Sequence, residues 1–166
     1  CDDAKAFSVD AGFTAASRRR AANHLAVELK SAGIVGANNS NNTVEIATNI
    51  TNPAKALLIA QSAGASEITT VANATQDGVR MLWRMVPSDA LQGQAISKYG
   101  EQVAKELNKA TLKVAIVNRG DTFGNGLRDA VKQYFQPNGK PWTDAANTAN
   151  VMETTYATTS PNYTAS

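Results

Sequence analysis

Cysteine is almost absent from this chain of 166 residues: it stands once, at Cys1, so no internal disulfide can form. Histidine is equally scarce, and His24 without a second cysteine excludes a Cys/His metal cluster. His24 itself reads as a surface or half-buried helix residue. Charge of one sign is lacking too, since 16 basic and 14 acidic residues leave a net +2, too near neutral to argue for a nucleic-acid partner. The one basic cluster, Arg18-Arg19-Arg20, fits a solvated helix face. No apolar run approaches the ~18 residues that a membrane span requires. What remains is a globular composition, 43% apolar and 18% charged, long enough for one ordinary domain or two small lobes. Cys1 admits two readings, the lipidated first residue of a mature lipoprotein or the start of a fragment, and composition does not choose between them.

Along the chain, strand and helix patterns alternate. AASRRRAANHLAVELKSA (15–32) sets Ala22, Leu25, Ala26 and Leu29 on one helical face, with Gly33 as a stop signal. GIVGA reads as a short buried strand, NNSNNTVEIATNI as a loop and helix start, and ALLIA (56–60) as the next strand. The stretch 61–78 is a long polar connection. MLWRMV (81–86) alternates and is extended, closed by Pro87. Ser88-Asp89 then cap a helix to about Asn108, with Asp89 and Gln92 at the spacing of a capping box. KVAIV (113–117), the helix LRDAVKQYF, the breaker QPNGKPW and a strand VMETTYA (151–157) follow, and PNYTAS trails away. Five candidate strands separated by helices imply crossovers, hence an α/β fold with parallel sheets covered by helices. Open sheets of this kind bind ligands beyond the carboxyl ends of their strands.

The glycine-bearing stretch after KVAIV, Gly120 to Gly126, invites comparison with phosphate loops. Starting from Gly124, the third position is Gly126 but the sixth is Asp129, a carboxylate where a dinucleotide loop needs glycine. No Gly-Lys-Ser/Thr follows. The stretch makes better sense as a bare turn presenting Phe123, which either projects into the crevice as a flat apolar wall or plugs the top of its own lobe. Both readings stand at this level.

Two other strand ends carry polar groups. Asn38, Asn39, Ser40, Asn41, Asn42 and Thr43 lead into a helix, where free N–H groups and the Ser40 hydroxyl would suit a small carboxylate, or merely cap the helix. Gln61-Ser62-Ala63-Gly64-Ala65-Ser66-Glu67 keeps its backbone open to hydrogen-bond a zwitterion. These ends offer no nucleophile–base pair, no strained Gly-x-Ser-x-Gly elbow and no paired carboxylates, which favours binding over catalysis and requires no cofactor. The Asn-x-Ser/Thr triplets at Asn38, Asn41, Asn49, Asn73 and Asn162 are what an Asn/Thr-rich chain produces by chance.

VGANNSNNTVEIA, LLIAQSAGASEIT, LWRMVPSDALQGQA and KVAIVNRGDTFGNGL, in that order and spacing, resemble the type I periplasmic solute-binding proteins, most closely the leucine/isoleucine/valine-binding branch of ABC importers. Their fold is shared with the ligand-binding regions of some receptors. The likeness covers roughly residues 15–135. It implies two Rossmann-like lobes that close on an amino acid, with a crossover at Val86-Pro87-Ser88-Asp89, so that 1–87 would be part of the first lobe and 88–166 part of the second, both incomplete. It also implies that Ser40 binds the ligand carboxylate, that the backbone at Ser62 and Gly64 takes its amino and carboxylate groups, and that Phe123 lines the pocket from the second lobe.

Where the family usually has Thr, this chain has Gly64, and where it has Tyr, this chain has Phe123. Both changes remove a hydroxyl and imply a ligand that is bound more weakly or is a different, less polar one. Family members run to more than twice this length, and Cys1-Asp2-Asp3 resembles the end of their second strand, which favours the fragment reading. An intact mass of the natural product ending at Ser166 would refute it. The expectation is therefore a periplasmic or extracellular, non-catalytic protein. It would carry a small amino-acid-like ligand to a membrane permease, closing about the crossover as a hinge. The alternatives are a sensory receptor domain of the same fold and, less favoured, a nucleotide-binding α/β enzyme.

Overall fold

The structure, a computed structural model, describes residues 5–12, 14–72, 74–109 and 111–158. Cys1 to Asp3, the triplet asparagines Asn73 and Asn162, and the PNYTAS segment lie outside the described residues. The chain divides into two compact units, Cys1–Val86 and Pro87–Ser166.

In the first unit, helix α1 (Ala15–Asn23) opens on a capping box in which Thr14 Oγ1 accepts the Ser17 amide at 3.0 Å and Ser17 Oγ accepts the Thr14 amide at 3.2 Å. The helix then widens over His24–Glu28, where the Leu29 amide reaches back to the His24 carbonyl at 2.9 Å. It ends earlier than the glycine signal suggested. Lys30 takes the left-handed conformation (φ 48°), the Ser31 amide closes on the Leu25 carbonyl at 2.9 Å, and Gly33 instead begins strand β1 (Gly33–Val35). Helix α2 (Ser40–Ile46) is capped by Asn39, whose side chain accepts the Asn42 amide at 2.9 Å, and it too widens, over Ala47–Thr51. Strand β2 (Leu57–Ala60) and a tight turn at Ser66–Thr70 follow.

The connection read as merely polar contains a hairpin. Strands β3 (Thr75–Gln76) and β4 (Val79–Arg80) pair around Asp77 and Gly78, both at positive φ (50° and 79°). Asp-Gly is the dipeptide that such a turn selects, because its backbone twist matches that of the flanking strands.

Strand β5 (Leu82–Arg84) completes a parallel sheet in the order β1-β2-β5, with Ile34 beside Leu58 and Leu58 beside Leu82. That face packs on Ala22, Ala26, Ile46, Ala47, Ile50 and Ile68, and burial of Leu58 and Leu82 is complete. Each of these leucines contributes roughly 1.5–3 kcal/mol. The small alanines of the helices let the two layers approach closely. On the other face Val35, Ile59 and Trp83 align in register, and Val35 and Trp83 are 66% and 55% exposed. GIVGA is thus an edge strand with one open face instead of a buried one, because the described helices pack on one side of it only.

In the second unit, α3 (Asp89–Leu107) and α4 (Thr122–Tyr134) pack together beside a parallel pair, β6 (Val114–Arg119) and β7 (Val151–Tyr156). Their contact requires Gly93: a Cβ there would lie 2.6 Å from the Ala130 Cβ. The start of α3 differs from the expected Asp89/Gln92 box. Ser88 is the N-cap and makes no side-chain capping bond, while the Gln92 side-chain Nε2 donates to the Pro87 carbonyl at 3.2 Å and to the Asp89 carboxylate at 3.3 Å. The QPNGKPW segment after α4 is irregular but tied. Asn147, 1% exposed, donates to the carbonyls of Pro137, Lys140 and Pro141 at 3.1, 3.2 and 2.9 Å.

Both units are α/β, with parallel strands flanked by helices. Among the described residues no helix is long and apolar enough to cross a membrane.

Candidate functional site

In the first unit the loops beyond β1 and β2 come together. Ser40, at the first turn of α2, is buried, and its Oγ accepts the Ala65 amide at 3.2 Å. Ser62, exposed on the neighbouring loop, donates its hydroxyl to the Asn38 carbonyl at 2.6 Å. Gly64, two residues after Ser62, is buried. Ser40, Ser62 and Gly64 therefore share one end of one sheet, as expected for a crossover fold whose parallel strands all end on the same side.

The polarity of this cluster follows from its hydrogen bonds. Because the Ser40 oxygen already accepts, its proton is left to donate, and no described residue takes it. The N–H groups of the buried residues Ala63 and Gly64 likewise donate to no described residue. The carbonyls of Gly64, Ala65 and Ile68, by contrast, are occupied. Arg84 Nη1 donates to the carbonyl oxygens of Gly64 (3.3 Å) and Ala65 (2.9 Å), and its Nη2 donates to Thr69 Oγ1 at 2.8 Å. Arg80 holds the Ile68 carbonyl at 2.7 Å. The open donors of Ser40, Ala63 and Gly64 suit a carboxylate or another anionic head. Beside them lies a cavity of about 510 Å³ whose walls include Arg18, Asn38, Asn39, Asn42 and Gln61.

The second unit holds Phe123, but not in a glycine loop. Gly124 and Gly126 belong to α4, and the turn from β6 is reduced to Gly120 and the N-cap Asp121. Asp121 accepts the Gly124 amide at 2.8 Å and pairs with the Arg119 guanidinium. A carboxylate thus occupies the helix N-terminus that a phosphate would need, and the phosphate reading of these glycines loses its geometry. Phe123 is half-buried on the first turn of α4 and lines a cavity of about 540 Å³ together with Ile96, Val117, Asn118, Arg119 and Tyr156. Asn118 is locked below it, donating to Asn125 Oδ1 at 3.0 Å and accepting the Thr155 hydroxyl at 2.9 Å.

Arg84 and Arg80 were not singled out from sequence. The signal was nonetheless present: MLWRMV alternates, and Arg84 falls on the same face as the buried Leu82, so an arginine stands at the carboxyl end of a core-facing row.

No family model and no curated protein matches the sequence. Solved structures do. The branched-chain amino acid transporter substrate-binding protein LivJ of Streptococcus pneumoniae, in complex with isoleucine, superposes with a TM-score of 0.64 at 19% identity, covering 93% of this chain and 38% of its own. A solute-binding protein of an ABC transporter from R. palustris, in complex with 4-hydroxybenzoate, gives 0.63 at 19% identity, covering 90% and 35%. An extracellular ligand-binding receptor from Rhodopseudomonas palustris HaA2 gives 0.64 at 20%, covering 94% and 38%. The chain thus spans 35–38% of the length of these proteins. At such identities the likeness is one of fold: two α/β units with parallel strands flanked by helices, matching partial lobes of the type I periplasmic binding proteins.

Proposed function

We propose that this chain is part of an extracytoplasmic solute-binding protein that captures a small carboxylate-bearing ligand and passes it to the permease of an ABC importer. Residues 1–86 and 87–166 would be incomplete parts of its two lobes. Ser40, Ser62 and Gly64 supply the first lobe's ligand contacts, and Phe123 the second lobe's apolar one.

The observation that carries this reading is the donor-rich end of the first sheet. A hydroxyl proton and the amides of two buried residues face no described acceptor, while the Gly64 and Ala65 carbonyls are taken by Arg84. An anionic head is what such a set stabilises, since hydrogen bonds to a charged group are worth about 1.5–3 kcal/mol each. A ligand side chain of low polarity suits the missing hydroxyls at Gly64 and Phe123. Isoleucine and 4-hydroxybenzoate, each bound by a protein of this fold, both pair a carboxylate with an apolar body.

Isothermal titration of the whole natural protein with leucine, isoleucine and 4-hydroxybenzoate tests it. Binding of at least one is expected, and no heat with any of them, together with tight ATP binding, would reverse the assignment. A sensory role is the second reading, favoured by the neighbour described as a receptor. A signalling domain on the same natural polypeptide would select it.

A further inference from the structure

Residue 64 is glycine, so no side chain restrains the peptide between Gly64 and Ala65. Two groups from other elements hold it instead. Its carbonyl accepts from Arg84 at the end of β5, and its N–H, trans to that carbonyl, donates to Ser40 at the start of α2. The next carbonyl, that of Ala65, also turns to Arg84, and the same guanidinium reaches the Thr69 hydroxyl. One planar fork thus fixes three oxygens over six residues of loop.

We propose that Arg84 is the positioning residue of this ligand face: by drawing the Gly64 and Ala65 carbonyls away, it keeps the loop presenting donors. It thereby holds the Ser40 oxygen in the accepting role that leaves its proton for the ligand. This rests on the functional reading above for its consequence, but the mechanical part stands by itself. Without the fork only the Ser40 bond restrains the Gly64 peptide, and a carbonyl turned toward an incoming carboxylate would repel it. Lysine cannot substitute, because a single ammonium lacks the flat, paired donor geometry that spans two carbonyls and a hydroxyl.

Amide hydrogen exchange on the whole natural protein separates positioning from simple stabilisation. In Arg84→Met and Arg84→Lys, exchange at Ala65 should accelerate at least tenfold, while Leu58, whose amide donates to the Met81 carbonyl inside the sheet, keeps its protection. Ser40→Ala should produce the same loss at Ala65. Unchanged protection of Ala65 in Arg84→Met would overturn the proposal. So would an equal loss at Leu58, which would mean that Arg84 only holds the unit together. Leucine is the binding probe. If the wild type takes it up, Arg84→Lys should weaken its affinity at least tenfold, and equal affinity refutes the ligand consequence. A wild type that ignores leucine counts against the functional reading, and the exchange result still decides the role of Arg84.

Discussion

Gly124 shows how little room a single position can leave. A Cβ there would sit 2.1 Å from the Arg119 carbonyl oxygen, inside any van der Waals contact and against backbone that cannot step aside. Gly124→Ala should therefore lower the stability of the second unit by about 3 kcal/mol, seen as a reduced urea midpoint. Phe123, one residue earlier, is tested differently because it is only half-buried. Phe123→Ala should leave folding nearly unchanged and weaken ligand uptake about tenfold by titration, and undiminished affinity would remove Phe123 from the site. The sequence made Phe123 and the glycines visible. It did not reveal that two of those glycines lie in the helix, because the N-cap role of Asp121 depends on how tightly β6 turns into α4. Ser40 was legible as a cap-region hydroxyl, but its bond to Ala65 crosses 25 residues and belongs to the assembled sheet.

At the scale of elements, β7 is fastened to its surroundings by Glu153. Its carboxylate accepts from Lys132 of α4 at 2.7 Å and from Trp142 Nε1 at 2.8 Å. The bond from Lys132, and then that from Trp142, hold its pKa below the usual carboxylate value, although burial works in the opposite direction. A carboxylate whose folded-state pKa is depressed adds stability above its unfolded pKa and loses it as the pH falls through the folded one. Thermal unfolding from neutral pH down through the carboxylate range should show the wild type losing more stability than Glu153→Gln. Parallel curves would deny the pair any role. The helices and five of the strands were readable from periodicity. The Asp77-Gly78 hairpin was missed although its dipeptide was in plain view, because strands of two residues carry no alternation to detect.

At the scale of the whole molecule, one sheet face in each unit is left apolar and open. Val35, Trp83 and Met85 are 66%, 55% and 71% exposed in the first unit, and Val117 and Met152 are 64% and 61% exposed in the second. Patches of this kind promote association. The apparent mass of a 166-residue polypeptide by light scattering should rise with concentration, and the pair Val117→Lys and Met152→Lys should reduce that rise. An apparent mass independent of concentration would count against this. The amino-acid sequence by itself determined the alternation of strands and helices, the lack of a disulfide or Cys/His cluster built from these 166 residues alone, and the positions of polar residues after each strand, because these depend on local periodicity and composition. Only the tertiary structure decided which polar groups meet, that arginines from β4 and β5 hold the carbonyls of Gly64, Ala65 and Ile68, up to 20 residues earlier, and that Asp121 occupies the helix end a phosphate would need. Hydrogen bonds between distant residues are set by sheet order and register, which no short stretch of sequence encodes.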